Sequence, residues 1–277
     1  MLGAGSGWVL ARPSSALIPM LALATALSAF SFVDDLRGLS RLLRFGMQIV
    51  TSVALIWLMQ PLSGGAGCAA LALIALVWMT NAFNFMDGAD GLAGGMAIFG
   101  FGIYALAAFQ GGMMALATTA ACLVGASLGF LWFNFHPARI FMGDAGSVPL
   151  GFLAAAMGIH GWQSGLWPIA FPVLVFSPFI VDASLTLVNR ILRREKFWQP
   201  HRDHYYQRLV RMGVGHRNTA LLAYAMMLAC GGSAWLVRES PAPVQMAVLI
   251  GWTLAYACLA YLIDRAWSEH SKGHPSA

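Results

Sequence analysis

The chain is 277 residues long, 59% hydrophobic and only 10% charged, with a mean hydropathy of +0.70 and a formal net charge of +5. Soluble domains carry about 25% charged residues, so a water-facing globular fold is excluded. The basic balance does not point to nucleic acid, because Lys and Arg also anchor the inner loops of membrane proteins. Apolar runs of about 18–22 residues match the thickness of a hydrocarbon core. Water cannot satisfy the backbone there, so Ala- and Leu-rich runs of this length must be helices. The expected architecture is all-α, a single integral membrane domain over 1–277 built as a polytopic bundle of about nine spans.

The first apolar stretch, Ala16 to Phe30, ends in small residues as a signal peptide does. Asp34, Asp35 and many further spans follow at once, so it reads as a retained helix. In chain order the predicted spans cover about 14–33, 45–60, 66–83, 93–109, 112–133, 146–160, 166–188, 218–237 and 243–263. Cys68, Cys122, Cys230 and Cys258 lie in or beside these runs without a CxxC pair, and read as small hydrophobes.

Alternate connections differ sharply. Those near Pro61–Gly65, Gln110–Gly112, His160–Gly165 and Arg238–Pro243 are short and nearly uncharged. Those at about 34–44, 84–91, 134–144 and 190–217, with the tail after Asp264, hold all but Arg12 and Arg238 of the 16 Lys and Arg residues. Positive loops stay inside, so the charged end is expected to face the cytoplasm.

On that same end stand Asp34, Asp35, Asp87, Asp90 and Asp144, at three separate helix ends. Carboxylates brought together repel unless a cation or basic side chains compensate them. A solvated loop explains any one of them; three clusters beside a basic loop point to a metal site at the membrane surface. Asn81, Asn84, Asp87 and Asp90 recur every third residue, which predicts neighbours near one helix face. Such oxygen donors suit a hard cation such as magnesium. A calcium loop is excluded, because its twelfth position would be Ile98 rather than Glu. Asp144 sits between Gly143 and Gly146 at a predicted helix start, a plausible place for a phosphate and its metal. In the loop Trp198 to Arg208, His201, Arg202, His204 and Arg208 supply donors matched to phosphate oxygens. Zinc at the two histidines and anionic headgroups at the basic loop are the competing readings.

Four segments, VDDLRGLS, NAFNFMDGADGLAGG, FNFHPARIFMGDAGS and HRDHYYQRL, resemble in order and spacing the signatures of the polyprenyl-phosphate N-acetylaminosugar-1-phosphate transferases. The resemblance spans about Phe32 to Leu209. It implies transfer of a sugar-1-phosphate from a UDP-N-acetylaminosugar to undecaprenyl phosphate, with Mg2+ and release of UMP, at the bacterial inner membrane. It further implies that Asn84 and Asp144 hold the metal, and that Asp34 and Asp35 orient or deprotonate the lipid phosphate. Asp87 then lines the nucleotide-sugar site, Asp90 and Phe141 meet uracil, and Asn134 contacts substrate. His201, Arg202 and His204 bind the pyrophosphate or sugar. The peptidoglycan branch carries three consecutive histidines in this loop; the His-Arg-Asp-His-Tyr-Tyr here resembles instead the branch that initiates O-antigen-like glycans. Membrane lipids are expected neighbours, and a homodimer is left open.

Members of that family have ten or eleven spans, and begin with two more spans and a basic, glycine-containing loop before the acidic pair. Here one span precedes Asp34, so the resemblance implies a short N-terminus and impaired transfer as written. A transporter is the rival reading, but only Asp182 falls well within a span, whereas transporters gather ionisable groups near the midplane.

Overall fold

In the computed structural model, residues 16–59, 65–196, 199 and 201–273 are described, and among them there is no strand. Arg12, the link at 61–64 and Trp198 lie outside these residues. Helices α1 (Leu17–Arg37), α2 (Arg41–Leu58), α3 (Gly65–Phe85), α4 (Leu92–Gln110) and α5 (Met114–Asn134) follow the first five predicted spans. Then come α6 (Gly143–Gln163), α7 (Ala170–Val175), α8 (Ser177–Leu192), the short α9 (Tyr205–Leu209), a π-helical turn at Val210–Val214, α10 (Gly215–Val237) and α11 (Ala242–Gly273). Among the described residues seven helical segments, α9 to α10 counted as one, are long and apolar enough to cross a membrane, against the nine expected; α6 and the pair α7 and α8 are not among them. The chain is an all-α polytopic membrane bundle.

The predicted span over 166–188 is corrected: it breaks at Phe176 into α7 and α8. Pro178 opens α8, and its missing N–H and fixed φ favour a fresh helix start over continuation. The break is packed in aromatic rings. Phe176 lies 5.4 Å from Tyr104 and 5.9 Å from Phe83, and Tyr104 stacks on Trp167 at 4.9 Å.

Helix α6 is the axis of the bundle. From Ser147 to Ile159 nearly every residue is buried, against α1 on one side and α3 on another. A Cβ at Gly151 would come within 2.2 Å of the Met79 carbonyl oxygen, so only glycine permits this approach of α6 to α3. Ser28 donates to the Ala145 carbonyl at 2.7 Å, pinning α1 to the first turn of α6. Gln48 and Asn81 clamp α2 to α3 at 2.7 Å. Helix α4 pairs with α5 and receives α10, while α11 is mostly exposed and is tied in by the buried Tyr256, whose hydroxyl meets Ser177 at 2.8 Å. Cys230 is buried and Cys258 is exposed.

Side-chain contacts sort the connections onto two ends. The turns at 38–40, 86–91, 135–142 and 193–214 and the last third of α11 touch one another, as the Asp34–Arg44–Asp144, Asp90–His136 and Arg208–Asp264 pairs show. At the other end Arg238 reaches Gln110.

Candidate active site

Of the five carboxylates expected to meet, Asp34, Asp35, Asp87 and Asp144 come together and Asp90 does not join them. Asp34, Asp35 and Asp144 form the one group of three or more potential metal-ligating side chains found among the described residues, with ligand atoms all within 4.8 Å of one another. Asp34 and Asp35 stand in the last turn of α1, where the helix dipole disfavours negative charge; Asp144 stands in the first turn of α6, where it is favoured. Asp34 is 5% exposed, and its Oδ1 accepts the Leu39 N–H at 2.7 Å. Asp35 is exposed, beside the Ala145 backbone N–H. Arg44 lies between, 3.2 Å from Asp34 and 3.4 Å from Asp144.

Asn84 donates from Nδ2 to Asp144 Oδ1 at 2.6 Å and to Ser147 at 3.2 Å. Turning this amide by 180° places its oxygen at the same position, so Asn84 can hold Asp144 or join it as a ligand. The Gln48–Asn81 clamp explains the meeting. Arg44 is one turn before Gln48 and Asn84 one turn after Asn81, so one buried amide pair sets both against Asp144.

The expectation that Asn81, Asn84, Asp87 and Asp90 share a helix face needs correction, because α3 ends at Phe85. Beyond it the two aspartates part. Asp87 turns to Asp144 and takes the Gly143 backbone N–H; burial, then the Asp144 charge, pushes its carboxyl up to about 7. Asp90 turns the other way. Its Oδ2 meets His136 Nδ1 at 2.7 Å and the Ala138 N–H at 3.2 Å, and its Oδ1 is 3.7 Å from His216. Burial alone would raise Asp90, but these donors outweigh it and hold the carboxyl below its usual value. His136 and His216 stack nearly parallel at 5.9 Å. Sequence reasoning passed over both histidines, though His136 lies within a motif already singled out.

Asn134 is buried with its amide engaged on both sides, accepting from the Gly91 N–H at 3.0 Å and donating to the Ile140 carbonyl at 2.9 Å. It braces the two site turns against each other. Phe141, 78% exposed, stands at the rim just before Asp144.

The 201–208 segment divides in the same way. Arg202 is exposed, and burial, followed by the charges of His204 and Arg190, holds His201 below the ordinary histidine range. His201 is therefore a neutral donor near pH 7. His204 is buried, 3.1 Å from Asp182, between the rings of Phe85 and Tyr206. Arg208 is buried too, donating to Asp264 at 2.5 Å and to the Asp203 carbonyl at 2.8 Å, so it ties the segment to α11. Asp182, in α8, accepts the Tyr205 and Tyr206 N–H groups at 3.0 Å each and caps α9. Its place there is explained by this anchoring. Tyr206 then donates to the Phe85 carbonyl at 2.9 Å and fills the space that the missing side chain of Gly88 leaves. The segment is thereby fastened to the end of α3, which carries Asn84 and leads into Asp87.

Residues 17–161 match the Glycosyl transferase family 4. Over 172 residues, 61% of this chain and 48% of the relative, the sequence is 33% identical to a probable undecaprenyl-phosphate N-acetylglucosaminyl 1-phosphate transferase of Bacillus subtilis. It is 32% identical over 247 residues, 76% of this chain and 62% of the relative, to a decaprenyl-phosphate N-acetylglucosaminephosphotransferase of Mycobacterium leprae. A phospho-N-acetylmuramoyl-pentapeptide-transferase of Geobacillus kaustophilus is 46% identical over 135 residues, 49% of this chain and 42% of that one. The chain thus matches 42–62% of the length of these curated relatives, and both the glucosaminyl and muramoyl kinds are among them. The match runs from α1 through α6, across Asp34, Asp35, Asn84, Asp87 and Asp144, and the chain belongs to glycosyl transferase family 4.

Proposed function

We propose that the protein transfers an N-acetylaminosugar-1-phosphate from a UDP-sugar to undecaprenyl phosphate, releasing UMP, and that it starts an O-antigen-like lipid-linked glycan. The observation that carries this reading is the meeting of Asp34, Asp35 and Asp144 at one end of a membrane bundle, with Asn84 and Asp87 against them. A reaction between a soluble nucleotide sugar and a lipid phosphate belongs at that boundary, and the positive charge of the surrounding loops supports a cytoplasmic side of a bacterial inner membrane for it.

The donor set, three carboxylates and an amide, is all hard oxygen and fits magnesium. Asp144 and Asn84, with Asp35 opposite, would hold the ion, which when bound supplies neutralisation of the pyrophosphate and of the leaving UMP. The residues do the rest. An oxygen of the acceptor phosphate forms a bond to the sugar-bearing phosphorus, and the bond from that phosphorus to the UMP oxygen breaks. Asp35, the exposed member of the pair, orients the acceptor phosphate; buried Asp34 fixes Arg44. Asp87, with a carboxyl near neutrality, accepts a proton from the acceptor phosphate when that group arrives as a monoanion. Asp90 and Phe141 receive uracil by hydrogen bonding and stacking, with Asn134 holding their turns together. His201 and Arg202 face the pyrophosphate or sugar, and His204 keeps their loop in place.

The test is UMP release by the purified chain from UDP-N-acetylaminosugars with undecaprenyl phosphate and Mg2+. Asp144→Asn should fold and lose at least 100-fold of that rate, on the order of the loss for an electrostatic group at the reacting centre. Near-normal turnover by folded Asp144→Asn at every Mg2+ concentration would refute the assignment.

A further inference from the structure

Helix ends near the cluster carry charges opposite to those their dipoles favour. The last turn of α1 holds Asp34 and Asp35, and the first turns of α2, entered through the Ser40 cap, hold Arg41 and Arg44. Both arrangements cost free energy in isolation. They become favourable together, because the turn at 38–40 folds α2 back so that Arg44 spans Asp34 at 3.2 Å and Asp144 at 3.4 Å. The same NH1 nitrogen serves both carboxylates, so a single cationic group sits between them. Its side chain is 40% exposed, whereas Asp34 is buried. One end of the bridge is therefore free to swing out towards water, and the other carboxylate cannot follow it.

We propose that Arg44 is a built-in counter-cation of this cluster. It bridges Asp34 and Asp144 while no metal is bound, and it releases Asp144 when a divalent cation enters, so that it sets the cation affinity of the site. The inference rests on the proposed function only in taking this cluster as the cation site. The physical reason is competition for one carboxylate. A guanidinium within 3.4 Å of Asp144 satisfies the charge that would otherwise draw a cation in, and it repels a second positive charge at close range. A state held by Arg44 lowers the apparent affinity by the fraction of molecules it occupies. Arg44 is thus a positioning residue: in the metal-free protein it keeps the carboxylates together, and in the loaded protein its guanidinium is released beside the reacting phosphates.

The experiment measures Mn2+ binding by electron paramagnetic resonance on the full chain in detergent, stripped with chelator and without substrate. Arg44→Met should bind Mn2+ about 10-fold more tightly than wild type, and Arg44→Lys, whose single ammonium spans the pair poorly, about threefold. Without metal, Arg44→Met should melt below wild type, and saturating Mn2+ should close most of that gap. A merely structural arginine predicts the reverse, weaker binding and a gap that persists. Binding by Arg44→Met that is equal to or weaker than wild type overturns the proposal. If Arg44→Met does not fold, the Arg44→Lys comparison decides on the same criterion. Asp144→Asn separates the two levels of argument. If it loses Mn2+ binding while the Arg44 variants match wild type, only the Arg44 role falls; if it binds as wild type does, the cation site itself is misplaced.

Discussion

Replacing Asp182 tests how the basic loop is held. Its carboxylate, 11% exposed, accepts from the Tyr205 and Tyr206 N–H groups at 3.0 Å, from His204 Nδ1 at 3.1 Å and from Thr186 at 3.2 Å. Hydrogen bonds to a charged group contribute about 1.5–3 kcal/mol each, and a buried N–H left without an acceptor costs about 1–3 kcal/mol. The two backbone donors at the start of α9 have no other partner of this kind. Asp182→Ala should therefore destabilise the 201–214 segment by about 3–5 kcal/mol, limited by the free energy at which the segment opens locally. Asp182→Asn keeps one acceptor oxygen but presents an amide N–H to one of the donors, and should cost about 2–3 kcal/mol. Because Tyr206 is bonded to the Phe85 carbonyl, loosening the segment also loosens the end of α3, which carries Asn84 and leads into Asp87. The assay is limited trypsin digestion at Arg202, Arg208 and Arg211, followed alongside UMP release. Both should change in parallel. If Asp182→Ala retains wild-type resistance to trypsin and wild-type turnover, the anchoring argument is wrong. If Asp182→Asn loses turnover while the loop stays protected, Asp182 acts on the chemistry rather than on the loop.

Asp87 carries a pH signature. Its folded carboxyl titrates near 7, above the ordinary 3.8, so the folded state retains a proton that the unfolded state has released between those values. Stability should fall as pH rises through that window, and the loss should be complete above about 7; Asp87→Asn should melt higher than wild type at pH 8 in chelator, by on the order of 2–4 kcal/mol, match it below pH 4, and lose transfer. Gly151→Ala should lower detergent stability by more than about 2 kcal/mol, because the new methyl meets α3 backbone, whereas Gly129→Ala, with nothing within 4 Å, should change it by less than about 0.5 kcal/mol. An equal effect of the two would refute the close α3–α6 approach. For topology, a cysteine at Ser240 in a background lacking the native thiols should react with an impermeant reagent outside intact cells, and one at Arg202 should be shielded; the reverse pattern would place the site on the other face.

What was legible in the sequence is what is local or periodic. Most spans are visible from run length, and counting alternate loops puts Asp34, Asp35, Asp87, Asp90 and Asp144 at one end, though it does not show that Asp90 turns away to His136. The break at Phe176 had a signal in Pro172 and Pro178, but continuous hydropathy across 166–188 hid it. The end of α3 at Phe85 was obscured because the three-residue spacing of Asn81, Asn84, Asp87 and Asp90 fits a helix as well as a turn. Pairings between distant residues left no local mark. Nothing near Asp182 shows that it caps a helix beginning at Tyr205, nothing near Arg208 shows its partner Asp264, and Gln48 with Asn81 reads as two unrelated amides.

Those hidden pairs share a physical logic. In hydrocarbon, association of helices gains little from hydrophobic burial, since lipid is as apolar as leucine, and polar contacts and close backbone approach decide the register. Among the described residues, the contacts of this kind that border the site are Ser28 to Ala145, Gln48 to Asn81, Asp182 to the start of α9, and the glycine contact of α6 with α3. Each joins a helix that bears a site residue to the helix or loop beside it. Ser28 fixes α1 with Asp34 and Asp35 against Asp144, Gln48 with Asn81 sets Arg44 and Asn84 against Asp144, and Asp182 fixes the start of α9, whose Tyr206 reaches the Phe85 carbonyl. A polar side chain inside a span is costly unless paired, so a paired one is a register device as well as a packing contact. For Gln48 and Asn81, one turn from Arg44 and Asn84, the register being set is that of the carboxylate cluster, while Tyr104 with Ala154 and Ser177 with Tyr256 set the register of α4, α6, α8 and α11 away from it.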